Sequence, residues 1–335
     1  MISKSGYRFS EMTMLHEKLL DRGSTRMRIA AMAAGAVGGY FGARMAAAGH
    51  DVTFIARGAH LAAIRRDGLK LESVLGDLHL PGANATPDPA EVGPVDIVLF
   101  AVKLWDTEAA AEAARPLVGP GTRVITVQNG VDSVERIAPI LGPEHVAGGL
   151  AYVATVIKAP GVISHTSQFA QLRCGRVDGA PDDRLAALAA AAQAAGIDIA
   201  VSNDIDVDRW TKFLFLAPLA GATGATRKPL GAILADPDTK QLFADLMQEV
   251  LAVARAKGVP LAPTLFDDRM AFAMAAPPGM KASLLHDLEA GNRLELDWLA
   301  GKVVALGREL GVPTPVNDAV YKVLKLHRMG ASSRQ

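Results

Sequence analysis

The chain has 335 residues, about two domains of ordinary size, and its 50% apolar and 21% charged residues exclude wholesale disorder. Its 35 Lys and Arg balance 35 Asp and Glu, so no net field draws it to nucleic acid or to an anionic membrane. A single cysteine, Cys174, excludes an intrachain disulfide and a Cys-rich metal cluster, and makes reducing cytoplasm the default compartment.

Residues 1–26 are mixed polar and charged, with Glu11, Glu17 and Asp21 and no central apolar block, so a secretory signal is not expected there. They read as an N-terminal extension, and Met27 reads as an ordinary start of a globular chain. Every long apolar run meets Gly, Pro or a charge before about 18 residues, so no membrane span is expected. The eight histidines are scattered without an HExxH pair, and no metal site is expected.

From Met27 to Asn203 short apolar runs alternate with Ala-rich stretches. Strands are expected at Met27–Ala33, Asp51–Ala56, Asp96–Val102, Thr122–Val127 and His145–Val153, with helices such as Val37–Ala48 and Thr107–Leu117 between them. This alternation predicts an α/β architecture, a parallel sheet with helices on both faces. Gly161–Cys174 reads as an antiparallel hairpin ending that sheet, followed by a helix over Asp183–Ala195. Past Asn203 the strand signal fades. Trp210–Leu219, Pro237–Lys257, Ala282–Ala290 and Leu294–Leu310 favour helix, so residues 204–330 are expected to form an all-helical second domain after a 27–203 first domain, hinged near Val201–Asp206.

Ala33-Ala34-Gly35-Ala36-Val37-Gly38 follows the first strand and opens a helix. In that context a Gly-rich turn lets the backbone approach a pyrophosphate, and the helix N-terminus offers free N–H groups and a positive dipole end. Ala33 stands where the first fingerprint glycine is usual, while Gly35 and Gly38 hold the close-approach and helix-packing positions. A tight turn without ligand would look similar. The second strand adds a distinction. NAD sites place an acid about 20 residues on, to bond the ribose 2′-hydroxyl. Here residues 52–66 contain no acid, and Arg57 stands 19 residues after Gly38, with His60, Arg65 and Arg66 nearby. A guanidinium there can fork onto a 2′-phosphate, which favours NADP(H) over NAD(H), although an exposed strand-end Arg is also common. Lys103 and the Gln128-Asn129-Gly130 turn fall at the carboxyl edges of two further strands, where ligands of open α/β sheets bind. A surface lysine and a plain Asn-Gly turn are the alternatives.

The ordered motifs AGAVGGYFGARMAAAGHDVTFIARG, AVKLWDTEAA, TVQNGVDSVERI, WTKFLF, SLLHDLEAGNRLELDWLAG and LGRELGVPTPVNDAVY resemble the ketopantoate reductase (2-dehydropantoate 2-reductase) family from Met27 to about Leu326. The resemblance implies a Rossmann-type NADPH-binding domain, a helical second domain, and an active site in the cleft between them. It implies reduction of the 2-oxo group of ketopantoate to the hydroxyl of pantoate, on the route to pantothenate and coenzyme A. Lys212 then matches the catalytic lysine and Glu295 the active-site glutamate. Ser283 matches a substrate-contacting serine. Lys103 and Asn129 match residues at the cofactor and substrate mouth, and Arg57 the 2′-phosphate contact. The partner expected is a small 2-oxo acid, with a homodimer left open.

Lys212 sits in the apolar run before Phe213-Leu214-Phe215-Leu216, where burial would lower its pKa, and a nearby Glu295 would keep it protonated. A lysine snorkelling to solvent, a solvated Glu295 and a helix-capping Ser283 are the alternatives. The sequence also departs from the family pattern. Leu216, Ala220 and, by a looser alignment, Leu230 stand where the resemblance implies substrate-binding asparagines. Each lost hydrogen bond is worth about 0.5–1.5 kcal/mol. Two further readings follow: a reductase of a more apolar 2-oxo acid or ketone, and a non-catalytic NADP(H)-binding sensor.

Overall fold

The computed structural model describes residues 26–331, so the expectation for the N-terminal extension lies almost wholly outside the described residues. Among the described residues two compact units emerge, one of residues 26–128 together with Ser133–Ile205, the other of Asn129–Asp132 together with residues 206–331.

The first unit opens with β1 (Arg28–Met32), α1 (Ala36–Ala47), β2 (Asp51–Ile55) and α2 (Gly58–Asp67), then three short strands, β3 (Leu69–Ser73), β4 (Leu78–Leu80) and β5 (Asn84–Thr86). It continues with β6 (Ile97–Phe100), α3 (Thr107–Ala114), β7 (Arg123–Thr126), α4 (Ser133–Leu141), β8 (Val146–Tyr152), β9 (Thr155–Ala159), β10 (Val162–His165), β11 (Gln171–Gly175), α5 (Asp183–Ala194) and β12 (Asp198–Val201). Eight strands form the main sheet in the order β12-β11-β8-β7-β6-β1-β2-β5, parallel except for the β8–β11 pair.

Successive side chains of a strand point to opposite faces, and here both faces are covered. Ile29 and Ala31 of β1 join the core that α1 covers, while Ala30 and Met32 join the one built with α3 and α4. Strands buried on both sides read as continuous apolar runs, which is why β1, β2, β6 and β7 stand out in the sequence. The α/β expectation and the mainly parallel sheet agree with this architecture. The chain winds outward from β1 to β2 and then returns to place β6 on the other side of β1. The carboxyl ends of β1 and β6 therefore flank a switch point, where open α/β sheets bind ligands.

The expected hairpin over Gly161–Cys174 does not form. Its halves enter different sheets. β10 pairs with β9 and β3 in a second sheet ordered β4-β3-β10-β9, whereas β11 pairs with β8 and β12 in the main one. Buried His165 marks the separation, since its ring contacts Ser73 Oγ at 2.9 Å on one side and Ser167 Oγ at 2.9 Å on the other. Alternation identifies a strand but not its partner. The second sheet leaves little periodic signal in the sequence because its strands are short and half-solvated: β3 buries Leu69 and Leu71 while exposing Lys70 and Glu72. This sheet lies against α1, with Ile163 filling the space beside Gly39.

Among the described residues the second unit's regular elements are helical: α6 (Ile205–Thr226), α7 (Leu230–Ala235), α8 (Pro237–Ala256), α9 (Leu265–Ala275), α10 (Ser283–Glu289), α11 (Ala300–Leu310) and α12 (Pro315–Lys325). They enclose a core around Trp210, Phe213, Phe243, Leu246 and Val303. Trp210–Leu219 is the middle of a longer helix. The run expected to be helical from Leu294 starts instead with a loop and a 3-10 turn at Leu296–Trp298, and α11 begins only at Ala300. At the start of α12, Glu249 of α8 accepts from the N–H groups of Val316 and Asn317, both at 2.8 Å, and so caps the free amides of that helix end.

Candidate active site

The turn leaving β1 is fixed at both ends. The N–H of Ala34 donates to Ile55 O at 2.7 Å, and Ala101 N–H, just past β6, donates to Met32 O at 2.5 Å. Gly35 then caps α1 with extended backbone, and Ala36, Val37 and Gly38 form its first turn, with no acid there to oppose an anion. The two glycines have different reasons to be glycine. A Cβ on Gly38 would stand 2.4 Å from Ala33 O and 3.1 Å from the Ala101 Cβ, so Gly38 allows the helix to close on the switch point. A Cβ on Gly35 would meet nothing within 4 Å. That open side is what an approaching pyrophosphate requires, and the first-turn N–H groups, which lack intrahelical partners, can receive it. Ala33 in place of the usual glycine is accommodated without loss of the turn.

Arg57 follows β2 as the N-cap of α2, with its side chain 82% exposed and paired with Asp106 at 4.0 Å. It can turn to a ligand. The neighbouring cations are committed elsewhere: Arg65 donates to Ala85 O at 2.9 Å and Arg66 pairs with Asp67 at 2.6 Å. Lys103 is exposed after β6, its Nζ 5.6 Å from the Trp105 ring centre.

The Gln128-Asn129 pair divides its work. Gln128 is buried, accepts from Thr126 Oγ1 at 3.0 Å, and donates to Val102 O at 3.0 Å and to Thr107 Oγ1 at 2.9 Å, locking the ends of β6 and β7 together. Asn129 belongs with the helical unit, where Lys212 Nζ of α6 donates to its Oδ1 at 2.9 Å. Gly130 takes φ of +100°, a conformation that favours glycine, and lets the chain turn so that Val131 enters the helical core. Asp132 then pairs with Lys302 Nζ at 2.6 Å. Two lysines thus grip one tetrapeptide, and the Lys302–Asp132 contact had no sequence signal beyond the turn itself.

Lys212 keeps some solvent contact, yet its amine is desolvated. Burial pushes its pKa down to about 8, and the carboxylate of Glu295 pulls it back up. Glu295 is half-buried just ahead of the 3-10 turn, so the solvated alternative does not describe it. Lys212, Asn129 and Glu295 therefore form one cluster. Ser283 opens α10 as its first residue, exposed, with Ala282 as the cap, so the capping alternative fails; among the described residues no hydrogen bond joins it to the cluster. Along α6, Leu216 is half-buried one turn after Lys212, and Ala220 is buried one turn further, on the same helical face. Leu230 is buried at the start of α7.

An amine whose pKa is brought down to about 8 can donate a proton to a developing oxyanion, and a carboxylate near it favours the charged form. With a dinucleotide-type turn at a Rossmann switch point, these features define a pyridine-nucleotide-dependent oxidoreductase. Comparison with known proteins sharpens the class. The ketopantoate reductase PanE/ApbA family model matches residues 29–179, and its C-terminal counterpart matches residues 204–328. A 2-dehydropantoate 2-reductase of Mesorhizobium japonicum is 34% identical over 89% of this chain and 97% of its own. An uncharacterized oxidoreductase of Bacillus subtilis is 30% identical over 90% and 99%. The solved structure of a PanE/ApbA family ketopantoate reductase from Ralstonia eutropha superposes with a TM-score of 0.83 at 34% identity, covering 90% of this chain and 98% of that one. The chain belongs to the ketopantoate reductase family. Among the described residues no helix is long and apolar enough to cross a membrane.

Proposed function

We propose that the protein reduces a 2-oxo acid to the 2-hydroxy acid with NADPH, with ketopantoate as the substrate and pantoate as the product. The observation that carries this reading is the Lys212 amine, desolvated, hydrogen-bonded to Asn129 and electrostatically coupled to Glu295. When bound, NADPH supplies a hydride to C2 of the oxo acid. Negative charge then builds on the C2 oxygen, and the Lys212 ammonium is the group suited to stabilise it and to give it a proton. Asn129 holds one N–H of that ammonium, which limits its rotation. Glu295 favours the charged amine and can accept from the product hydroxyl. The exposed guanidinium of Arg57 would hold the 2′-phosphate of NADPH, and the open side of Gly35 would admit the pyrophosphate. Ser283 and Lys103 enter this reading as substrate and cofactor contacts on family resemblance.

One observation favours a second reading of the substrate. Leu216 and Ala220 continue the Lys212 face of α6 without a polar atom, a surface suited to a more apolar 2-oxo acid. The test is NADPH oxidation followed by absorbance across a panel of 2-oxo acids. The primary reading expects ketopantoate to give the highest kcat/KM. A bulkier apolar acid giving the highest value overturns ketopantoate in favour of the second reading. NADPH binding without turnover on any member identifies a sensor and overturns both.

A further inference from the structure

His60 is the third residue of α2, and its ring lies between two turns far from it in sequence. Nε2 is 2.9 Å from Ala34 O in the β1–α1 turn, and Nδ1 receives the N–H of Gly161, in the β9–β10 turn, at 3.0 Å. A backbone N–H only donates, so Nδ1 is the acceptor. The ring proton therefore sits on Nε2, facing a carbonyl that only accepts. Burial disfavours the charged ring and lowers its pKa, in keeping with this neutral tautomer. Gly161 is itself seated, with φ of +76° and the Cβ of Ala63 lying 3.1 Å from where its own would stand, so the second sheet gives His60 a fixed support.

Ala34 is the residue before Gly35. Its N–H is held by Ile55 O and its C=O by His60, which determines the orientation of the peptide that follows. That peptide is planar and trans-like in its geometry, so a carbonyl turned toward His60 turns the Gly35 N–H the opposite way. We propose that His60 is a positioning residue for the nucleotide turn: it transmits the support of the second sheet to the Ala34–Gly35 peptide and so aims the amide that meets the dinucleotide pyrophosphate. This rests on the reading of the turn as a pyridine-nucleotide site.

The test compares the wild-type enzyme with His60→Ala and His60→Gln, measuring Kd for NADPH and for NADH by fluorescence titration, Tm of the free protein, and KM with kcat. The amide of Gln presents a donor nitrogen and an acceptor oxygen side by side, so it can restore both contacts. For His60→Ala, Kd is expected to rise about tenfold, the loss of one or two hydrogen bonds. The rise should be equal for the two dinucleotides, because the pyrophosphate is common to both, and kcat at saturating cofactor should fall far less. His60→Gln should recover most of the affinity. Unchanged Kd in His60→Ala overturns the proposal. So does a loss confined to NADPH, which would place His60 at the 2′-phosphate, or a Gln variant that regains Tm but not affinity, which would leave a purely structural role. Failure of the wild-type protein to bind either dinucleotide would instead overturn the cofactor reading itself.

Discussion

Around Ala33–Gly38 the groups proposed to work are backbone, whereas around Lys212 they are side chains. The first site consists of amides at a helix start, a glycine with open space beside it and another pressed against Ala33 and Ala101. Its components are consecutive in the chain. The second site joins residues 83 positions apart, Asn129 and Lys212, and adds Glu295 from a third segment. A backbone site is specified by which residues lack a Cβ; a side-chain site is specified by burial and charge balance. The two should fail differently when disturbed, and the largest difference is expected at the amine. Lys212→Ala should lower turnover by about 10²–10⁴-fold, while NADPH affinity, measured by titration, stays near the wild-type value. Normal turnover would remove Lys212 from the mechanism.

Cofactor discrimination tests the backbone site from its edge. In the proposed reading Arg57 is a side chain serving a site otherwise made of amides, and its long 4.0 Å pair with Asp106 lets it turn to a ligand. A charged hydrogen bond is worth about 1.5–3 kcal/mol, so Arg57→Ala should weaken NADPH by about 10–100-fold. NADH should be nearly unaffected. Equal losses for both dinucleotides would count against the 2′-phosphate role.

The glycines separate ligand contact from packing. Gly38→Ala drives a methyl group onto Ala33 O and Ala101, and overpacking of this kind costs about 1–3 kcal/mol, which should appear as a lowered Tm. Gly35→Ala meets open space in the protein and keeps an ordinary backbone conformation, so Tm should hold while dinucleotide affinity falls. Both variants losing Tm and neither losing affinity would mean that the turn serves the fold alone.

This contrast also explains what the sequence disclosed. The β1 strand, the glycines and α1 were legible because strand burial, turn and helix start are local and contiguous. The absence of acid from residues 52–66 around Arg57 was legible for the same reason. The Lys212 cluster was not legible by spacing, since nothing in WTKFLF indicates that Asn129 will bond to it or that Glu295 will act on its charge; family resemblance singled out those residues, and the fold supplied the hydrogen bond and the electrostatic coupling. Gln128 shows the converse. It neighbours Asn129 and has the same chemistry, yet its amide is consumed by Val102, Thr107 and Thr126. His60 read as one cation among several, because the turn it supports is contacted through a second sheet whose short, half-exposed strands gave little periodic signal.

The smallest expected effect concerns the charge balance of the amine. Burial lowers the Lys212 pKa from 10.5 to about 8, and Glu295 opposes that shift. If the ammonium is the proton donor, reductive turnover is present below about pH 8 and is lost as pH rises through it. Stability follows the opposite sign. Between about 8 and 10.5 the unfolded chain holds this proton and the folded one does not, so folding becomes more favourable as pH rises across that window. Glu295→Gln removes the opposing influence, leaves the amine equally buried, and should move the kinetic limb to lower pH while the overall fold persists. A limb that stays in place, or moves upward, would mean that Glu295 does not govern the protonation of Lys212. The pH profile of kcat, compared between wild type and variant at saturating NADPH, decides between these outcomes.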